Sequence, residues 1–125
     1  MVVLALLAAA SYVGNLACKP CHSKLAEDYA ASAMARTSGV VDTTSPGVFK
    51  HVSIDNKGIA RWDKQERKLD YFIGSGAHGR SYLFSYNRFL FQAPFTWYTQ
   101  EDKWDSSPGY ELDRGLRWSR PVESR

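Results

Sequence analysis

Both cysteines of the 125-residue chain fall in one pentapeptide, Cys18-Lys19-Pro20-Cys21-His22. This is the C-x-x-C-H pattern of covalent c-type haem attachment. Two thiols three positions apart can reach two vinyl groups of one porphyrin, and the histidine that follows can ligate the iron. The attachment chemistry requires this spacing, so the motif constrains the chain more than any other. It predicts one covalent haem c, with His22 as the proximal iron ligand.

Other uses of the cysteine pair fit the sequence less well. A redox dithiol of the thioredoxin type lies near a βαβ pattern, which does not follow here. A zinc site normally takes four ligands, yet the chain has no third cysteine, and His51 and His78 stand apart from the motif. A disulfide between Cys18 and Cys21 leaves His22 without a role. We therefore favour haem.

Three side chains are candidates for the second axial position: Met34, His51 and His78. On a continuous helix, Met34 lies about 18 Å from His22, whereas two axial ligands lie about 4 Å apart. We therefore expect Met34 to pack in the core or to face the haem of another module. His51 and His78 stay as candidate distal ligands, and His78 is favoured because loops carry function more often. The alternatives are an iron with an open sixth position and a ligand that comes from elsewhere.

The pattern of apolar and turn residues predicts an α+β fold, with one N-terminal helix after the motif and a small antiparallel β meander. The helix is expected over residues 23–36. Residues 40–46 are expected to form a linker, and Pro94 to end a strand. His51 is expected on a strand beside Phe49, and His78 in a glycine-rich loop. Strands are predicted over residues 48–54, 59–62, 69–73, 81–86, 89–93 and 96–99.

The N-terminus is apolar, and the charge of the chain is small. Residues 1–10, MVVLALLAAA, are too short to span a bilayer but resemble the apolar part of a signal peptide that ends in small residues. We expect residues 11–125 to form a single c-type haem domain, or a fragment of a longer multihaem protein, exported to the periplasm or cell surface. No membrane span is expected in the mature chain. The formal charge of +3 does not indicate nucleic-acid binding, which needs a clustered basic stripe.

Aromatic residues are abundant in the predicted strands. Phe49 and Trp97 are candidates for packing against the haem, and the alternative is that these aromatics form the core of the sheet. Arg80, Arg88 and Lys68 are candidates for pairing with haem propionates, and a solvated face explains them equally well. The other aromatic residues of this cluster are Phe89, Phe91, Phe95, Tyr98 and Trp104.

Several later motifs occur in a familiar order. They are Ser32-Ala33-Met34-Ala35-Arg36-Thr37-Ser38, Phe49-Lys50-His51, Ile73-Gly74-Ser75-Gly76-Ala77-His78-Gly79-Arg80-Ser81-Tyr82-Leu83, Thr96-Trp97-Tyr98, and Trp104 with Ser107-Pro108-Gly109-Tyr110. With the haem motif, they make residues 12–122 resemble the N-terminal haem module of bacterial multihaem c-type cytochromes, including those fused to tetratricopeptide repeats. The resemblance implies a bis-ligated electron-transfer unit, usually followed by further C-x-x-C-H motifs. A second motif would be expected about where this chain ends. The Met34 position is similar to one that carries a distal histidine for a neighbouring haem.

The motif and the resemblance together predict an electron carrier rather than an enzyme. Its expected partners are redox proteins or other haem modules, and oligomers are compatible with this role. One alternative is a haem enzyme or gas sensor with an open sixth coordination position. Another is a non-redox binding or assembly domain.

Overall fold

The computed structural model describes residues 14–110 and 116–122. About 14% of these residues are helical and about 41% lie in strands, so the predicted α+β class is confirmed, with β structure dominant. The chain divides into two compact units, residues 1–32 and 33–125. The expected signal segment, residues 1–10, lies outside the described residues. That residues 11–125 form one domain stays a prediction.

The first unit contains a short 3-10 helix, Asn15–Ala17, and the α-helix α1, Ser23–Ala31. The prediction of a helix over residues 23–36 is wrong at its end, because Ser32 has an extended backbone with ψ of 155°. Its hydroxyl donates a 2.6 Å hydrogen bond to the Tyr29 carbonyl. A serine hydroxyl that donates to a carbonyl of the preceding turn competes with the backbone hydrogen bonds that would continue the helix.

The second unit begins with a 3-10 turn, Met34–Arg36, and continues as two antiparallel sheets. The larger sheet has the strand order β1-β6-β7-β8-β9, and the smaller is a meander of β2 to β5. A single meander was predicted, so the division into two sheets is a finding of the structure. The strands are β1 Ser38–Val40, β2 Gly47–Phe49, β3 Val52–Ile54, β4 Ile59–Trp62, β5 Gln65–Lys68, β6 Tyr71–Ile73, β7 Gly79–Tyr86, β8 Phe89–Tyr98 and β9 Lys103–Ser106.

The meander corrects the predicted strand over residues 48–54. Phe49 pairs with Val52, so a two-residue turn of Lys50 and His51 separates β2 from β3. Lys50 has a φ of 54°, which turns the chain back on itself. The alternation of apolar residues runs through this turn, and for that reason it predicted one strand. The predicted strand over Ile59–Trp62 is confirmed as β4.

The long pair β7 and β8 corrects the prediction at Pro94. The register runs from Ser81 opposite Thr96 to Leu83 opposite Gln92, so Tyr82 faces the three residues 93–95. Pro94 lies in this β-bulge, within the continuous strand β8. A residue without an N–H is tolerated there because the ladder of hydrogen bonds is interrupted. Residues 89–93 and 96–99 therefore do not form separate strands.

The core lies between the two sheets, and both contribute to it. Phe95 of the larger sheet and Phe49 of the smaller have ring centroids 6.4 Å apart. Residues 40–46, predicted as a linker, also pack: Val41 and Thr44 are buried, and the Trp104 indole donates to the Ser45 carbonyl at 3.1 Å. The other large buried side chains of the cluster are Val52, Ile54, Trp62, Leu69, Tyr82, Phe84 and Trp104.

Among residues 14–110 and 116–122, no helix has both the length and the apolar character needed to span a membrane.

Candidate functional site

The C-x-x-C-H motif forms one turn at the start of α1. The N–H of His22 donates to the Cys18 carbonyl at 2.9 Å, and the N–H of Ala26 donates to the His22 carbonyl at 2.9 Å. These are i to i−4 hydrogen bonds, so the motif leads directly into the helix. The turn therefore places both cysteines and the histidine within one local structure.

All three residues of this turn are accessible. Cys18 and Cys21 are free, exposed thiols, and His22 is exposed at the N-cap position of α1. Two reachable thiols and an adjacent imidazole are the donor set that a c-type haem requires, so these residues fit the group. In the described parts of the chain, no three His, Cys, Asp or Glu side chains cluster so as to hold a metal ion. A haem iron does not need such a cluster, since the porphyrin supplies four of its ligands.

His78 lies where it was predicted, in the glycine-rich loop between β6 and β7. It is exposed, and its Nδ1 lies 2.9 Å from Nε2 of Gln100. Its carbonyl accepts a 3.0 Å hydrogen bond from the N–H of Thr99. This contact with Gln100 limits the orientation of the ring. His78 is therefore an oriented imidazole.

His51 lies in a different setting from the one predicted. It occupies the exposed turn between β2 and β3 and does not share a strand face with Phe49. Among the described residues, no hydrogen bond holds its ring.

Met34 also departs from expectation. Its side chain is 72% exposed in the 3-10 turn and does not pack in the core. The distance that excluded Met34 as a ligand assumed a continuous helix from the motif, and α1 ends at Ala31. The distance argument against Met34 therefore does not apply to this structure.

The two aromatic residues predicted to contact haem differ in their surroundings. Phe49 is 8% exposed and belongs to the core between the sheets, so it offers little surface to a ligand. Trp97 is half-buried and packs edge-on against Trp104, with ring centroids 5.4 Å apart. Trp97 also lines a cavity of about 520 Å³ within the second unit.

That cavity and a second one, of about 490 Å³, share Arg80 and Ser75. The sequence indicated Arg80 only as a propionate partner and did not indicate Arg36, which lines the second cavity. The available signal was Gly74-Ser75-Gly76 before Arg80, since a glycine-rich loop lets the backbone approach a ligand closely. In the first cavity, burial raises the pKa of Tyr82, and the charge of Arg80 partly opposes this rise.

Comparison of the chain with protein-family models, curated proteins and solved structures gives no match. The resemblance to multihaem cytochromes therefore stays a prediction that depends on the motifs alone.

Proposed function

We propose that this protein is an electron carrier with one covalent haem c, held by Cys18 and Cys21 and ligated by His22. The observation that carries this proposal is the single turn that presents two free thiols and an imidazole, all exposed. A disulfide between Cys18 and Cys21 would leave His22 without a role. Because c-type maturation takes place outside the cytoplasm, the proposal includes export to the periplasm or cell surface and redox proteins or other haem modules as partners.

The covalent step requires no external oxidant. Each thiol adds across one vinyl group: a sulfur–carbon bond forms, the vinyl π bond breaks, and the thiol hydrogen passes to the other vinyl carbon. When bound, haem supplies a one-electron ferric–ferrous couple whose potential depends on axial ligand, burial and nearby charge. Because His22 is tied to the Cys18 carbonyl through its backbone N–H, attachment of both thiols also restricts where the imidazole can lie.

The direct test is haem staining on a denaturing gel after expression with an export signal and the c-type maturation machinery. We expect a stained band at the mass of the chain plus one haem. The double variant Cys18→Ala/Cys21→Ala should lose the stain, and the control Ser23→Ala, an exposed neighbour on α1, should keep it. A soluble wild-type chain that matures beside a working control cytochrome and stays unstained would rule out the haem proposal.

The second axial ligand separates an electron carrier from an open-site haem enzyme or gas sensor. We expect a low-spin spectrum at rest and slow carbon monoxide binding to the ferrous protein. Replacement of His78 by Ala should make the iron high-spin and quick to bind carbon monoxide, while His51→Ala and Met34→Ala should not. A wild-type iron that is already high-spin would favour the enzyme or sensor. Loss of the low-spin signal in one of the other two variants would assign the ligand there.

A non-redox binding domain is the second candidate function, and the cavities around Arg80 favour it. It predicts that ligand binding survives when the cysteines are replaced. The two functions are compatible in one chain, because the haem motif lies in the first unit and both cavities lie in the second.

A further inference from the structure

Arg80 is a half-buried arginine that has no counter-ion among the described residues. Its Nε atom is buried and has no hydrogen-bond partner. The ion pairs formed among the described residues include neither Arg80 nor Arg36. A charged donor that is withdrawn from water and left unpaired costs free energy. A bound acceptor at this position would recover that free energy.

The guanidinium is held on two sides by groups that cannot accept its hydrogen bonds strongly. Its central carbon lies 4.4 Å from the centroid of the Phe72 ring. On another side is Gly76, where an added Cβ would lie 3.1 Å from the Arg80 Nε. Glycine at this position, with a φ of 84°, lets the loop approach the side chain closely. These contacts orient the planar group and leave its charge uncompensated.

The two cavities that meet at Arg80 have linings suited to an anion. In the part of the chain that the structure describes, no carboxylate lines either cavity. The smaller has a second cation, Arg36, and the larger has hydroxyl donors. Planar guanidinium groups bind the oxygens of carboxylates and phosphates in pairs, and hydroxyls add further donors. The hydroxyl-bearing residues of the two linings include Thr43, Ser45, Thr99, Ser38 and Ser75.

We propose that Arg80 and Arg36 form a binding site for an oxyanion, a phosphate or carboxylate group, in the second unit. The site does not depend on the proposed haem function, since every residue that lines it belongs to residues 33–125. The oxyanion has two sources of the same chemistry: a free phosphate or carboxylate ligand, or a carboxylate of the haem itself.

Inorganic phosphate is the probe for the first experiment, with thermal unfolding of the full-length Cys18→Ala/Cys21→Ala chain as the readout. Ionic strength is matched with chloride. A ligand that binds the folded state alone raises Tm, and we expect a rise of about 5 °C at ten times the dissociation constant. Arg80→Gln should abolish the saturable rise, and Arg36→Gln should weaken affinity about tenfold. Lys64→Gln is the control, because it removes the same charge from an exposed turn residue that lines neither cavity.

The behaviour without phosphate separates a binding role from a structural one. If the unpaired charge is a cost, Arg80→Gln should unfold at the same temperature as the parent chain or at a higher one in phosphate-free buffer. An arginine that merely packs on Phe72 would make the variant less stable by the same amount at every phosphate concentration. Parallel curves of that kind, or no saturable rise in the parent chain, would overturn the proposal. Should Arg80→Gln not fold, Arg80→Lys serves instead: it keeps the charge, loses the paired donors and should bind phosphate several-fold more weakly.

The same phosphate titration on the haem-loaded protein distinguishes the two sources of the oxyanion. A phosphate response in both forms would support a free ligand. A response confined to the haem-free chain would support occupation by a haem carboxylate. Because the first titration uses haem-free protein, its failure is distinct from failure of the haem stain.

Discussion

Asp55 organises the turn between β3 and β4 through one carboxylate. Its Oδ1 accepts hydrogen bonds from the backbone N–H groups of Lys57 and Ile59, both at 2.9 Å, and its Oδ2 accepts from Arg61 at 2.7 Å. The hydrogen bond from Arg61 is the largest of the effects that hold the pKa of Asp55 below its usual value, followed by the bond from Ile59. Each effect favours the ionised form, so the folded state is stabilised when Asp55 carries its charge.

The sign of this effect gives a pH-dependent prediction. A lowered carboxyl pKa adds stability above the unfolded pKa of about 4 and loses it as pH falls through the lower folded value. Asp55→Ala should therefore cost about 1 kcal/mol at pH 7, with less difference from the wild type in acid. Asp55→Asn keeps a side-chain oxygen that can accept from the backbone N–H groups of Lys57 and Ile59, so it should cost less.

Urea unfolding from pH 7 to pH 3 checks this prediction. The control is Asp63→Asn, at an exposed turn residue with a φ of 49°, where asparagine is tolerated. A stability difference for Asp55→Ala that does not change with pH would contradict the electrostatic account.

The sequence predicted elements well where side-chain pattern and backbone agreed. The strand Ile59–Trp62 and the glycine loop with His78 had clear turn residues beside them. The turn at Lys50 and His51 had none, because a lysine with a φ of 54° gives no signal in the sequence. The charged strand Gln65–Lys68 was not predicted, although charged residues are common at the exposed positions of edge strands.

The candidate site was also predicted only in part. The haem motif is a local pattern, so residues 18–22 were identified directly. The environment of Arg80 depends on the adjacent β6–β7 loop and on Phe72, but also on residues 43–46, which are distant in sequence. Nothing local indicates that such segments meet, and for that reason neither cavity could be predicted.

The β7–β8 hairpin turns through two residues, Asn87 and Arg88, with φ values of 48° and 68°. Positive φ at both positions is typical of a type I′ turn, for which Asn-Gly is the preferred sequence. Arginine at the second position is strained by its Cβ. We expect Arg88→Gly to raise the free energy of unfolding by up to about 1 kcal/mol, after the entropy that glycine adds to the unfolded chain.

Chemical denaturation of Arg88→Gly checks this expectation. Arg88→Ala is the matched control, since it removes the same side chain without relieving the backbone and should give no comparable gain. Equal stabilisation by both variants would show that the side chain, rather than the φ angle, is responsible.

At the scale of the whole molecule, the buried core belongs to the second unit. Every described residue from 14 to 32 is at least partly exposed, while Phe95 is fully buried between the sheets. Its ring contacts Phe49, Trp104 and Trp118. The sandwich of the second unit should therefore hold its tertiary structure without the haem motif.

This separation predicts contrasting results for two sets of variants. Cys18→Ser/Cys21→Ser should leave the near-ultraviolet circular dichroism of the tryptophans and the associated Tm unchanged within about 2 °C. Phe95→Ala should lower the free energy of unfolding by about 3–5 kcal/mol. Phe89→Ala removes the same ring from a 62% exposed position and should cost far less. Loss of the near-ultraviolet signal in the cysteine variant would contradict this account.

The chain leaves the larger sheet after β1 and re-enters it at β6, its direct neighbour. Residues 41 and 70 meet at this point, where the N–H of Val41 donates to the Asp70 carbonyl at 2.9 Å. The intervening meander is made of hairpins between consecutive strands, which form quickly, whereas β1 and β6 pair only after a long loop closes. Once the meander has formed, most residues of that loop are already ordered, so less entropy remains to be lost when β1 and β6 pair. We therefore expect the hairpins of the meander to form first and the pairing of β1 with β6 to be a late step.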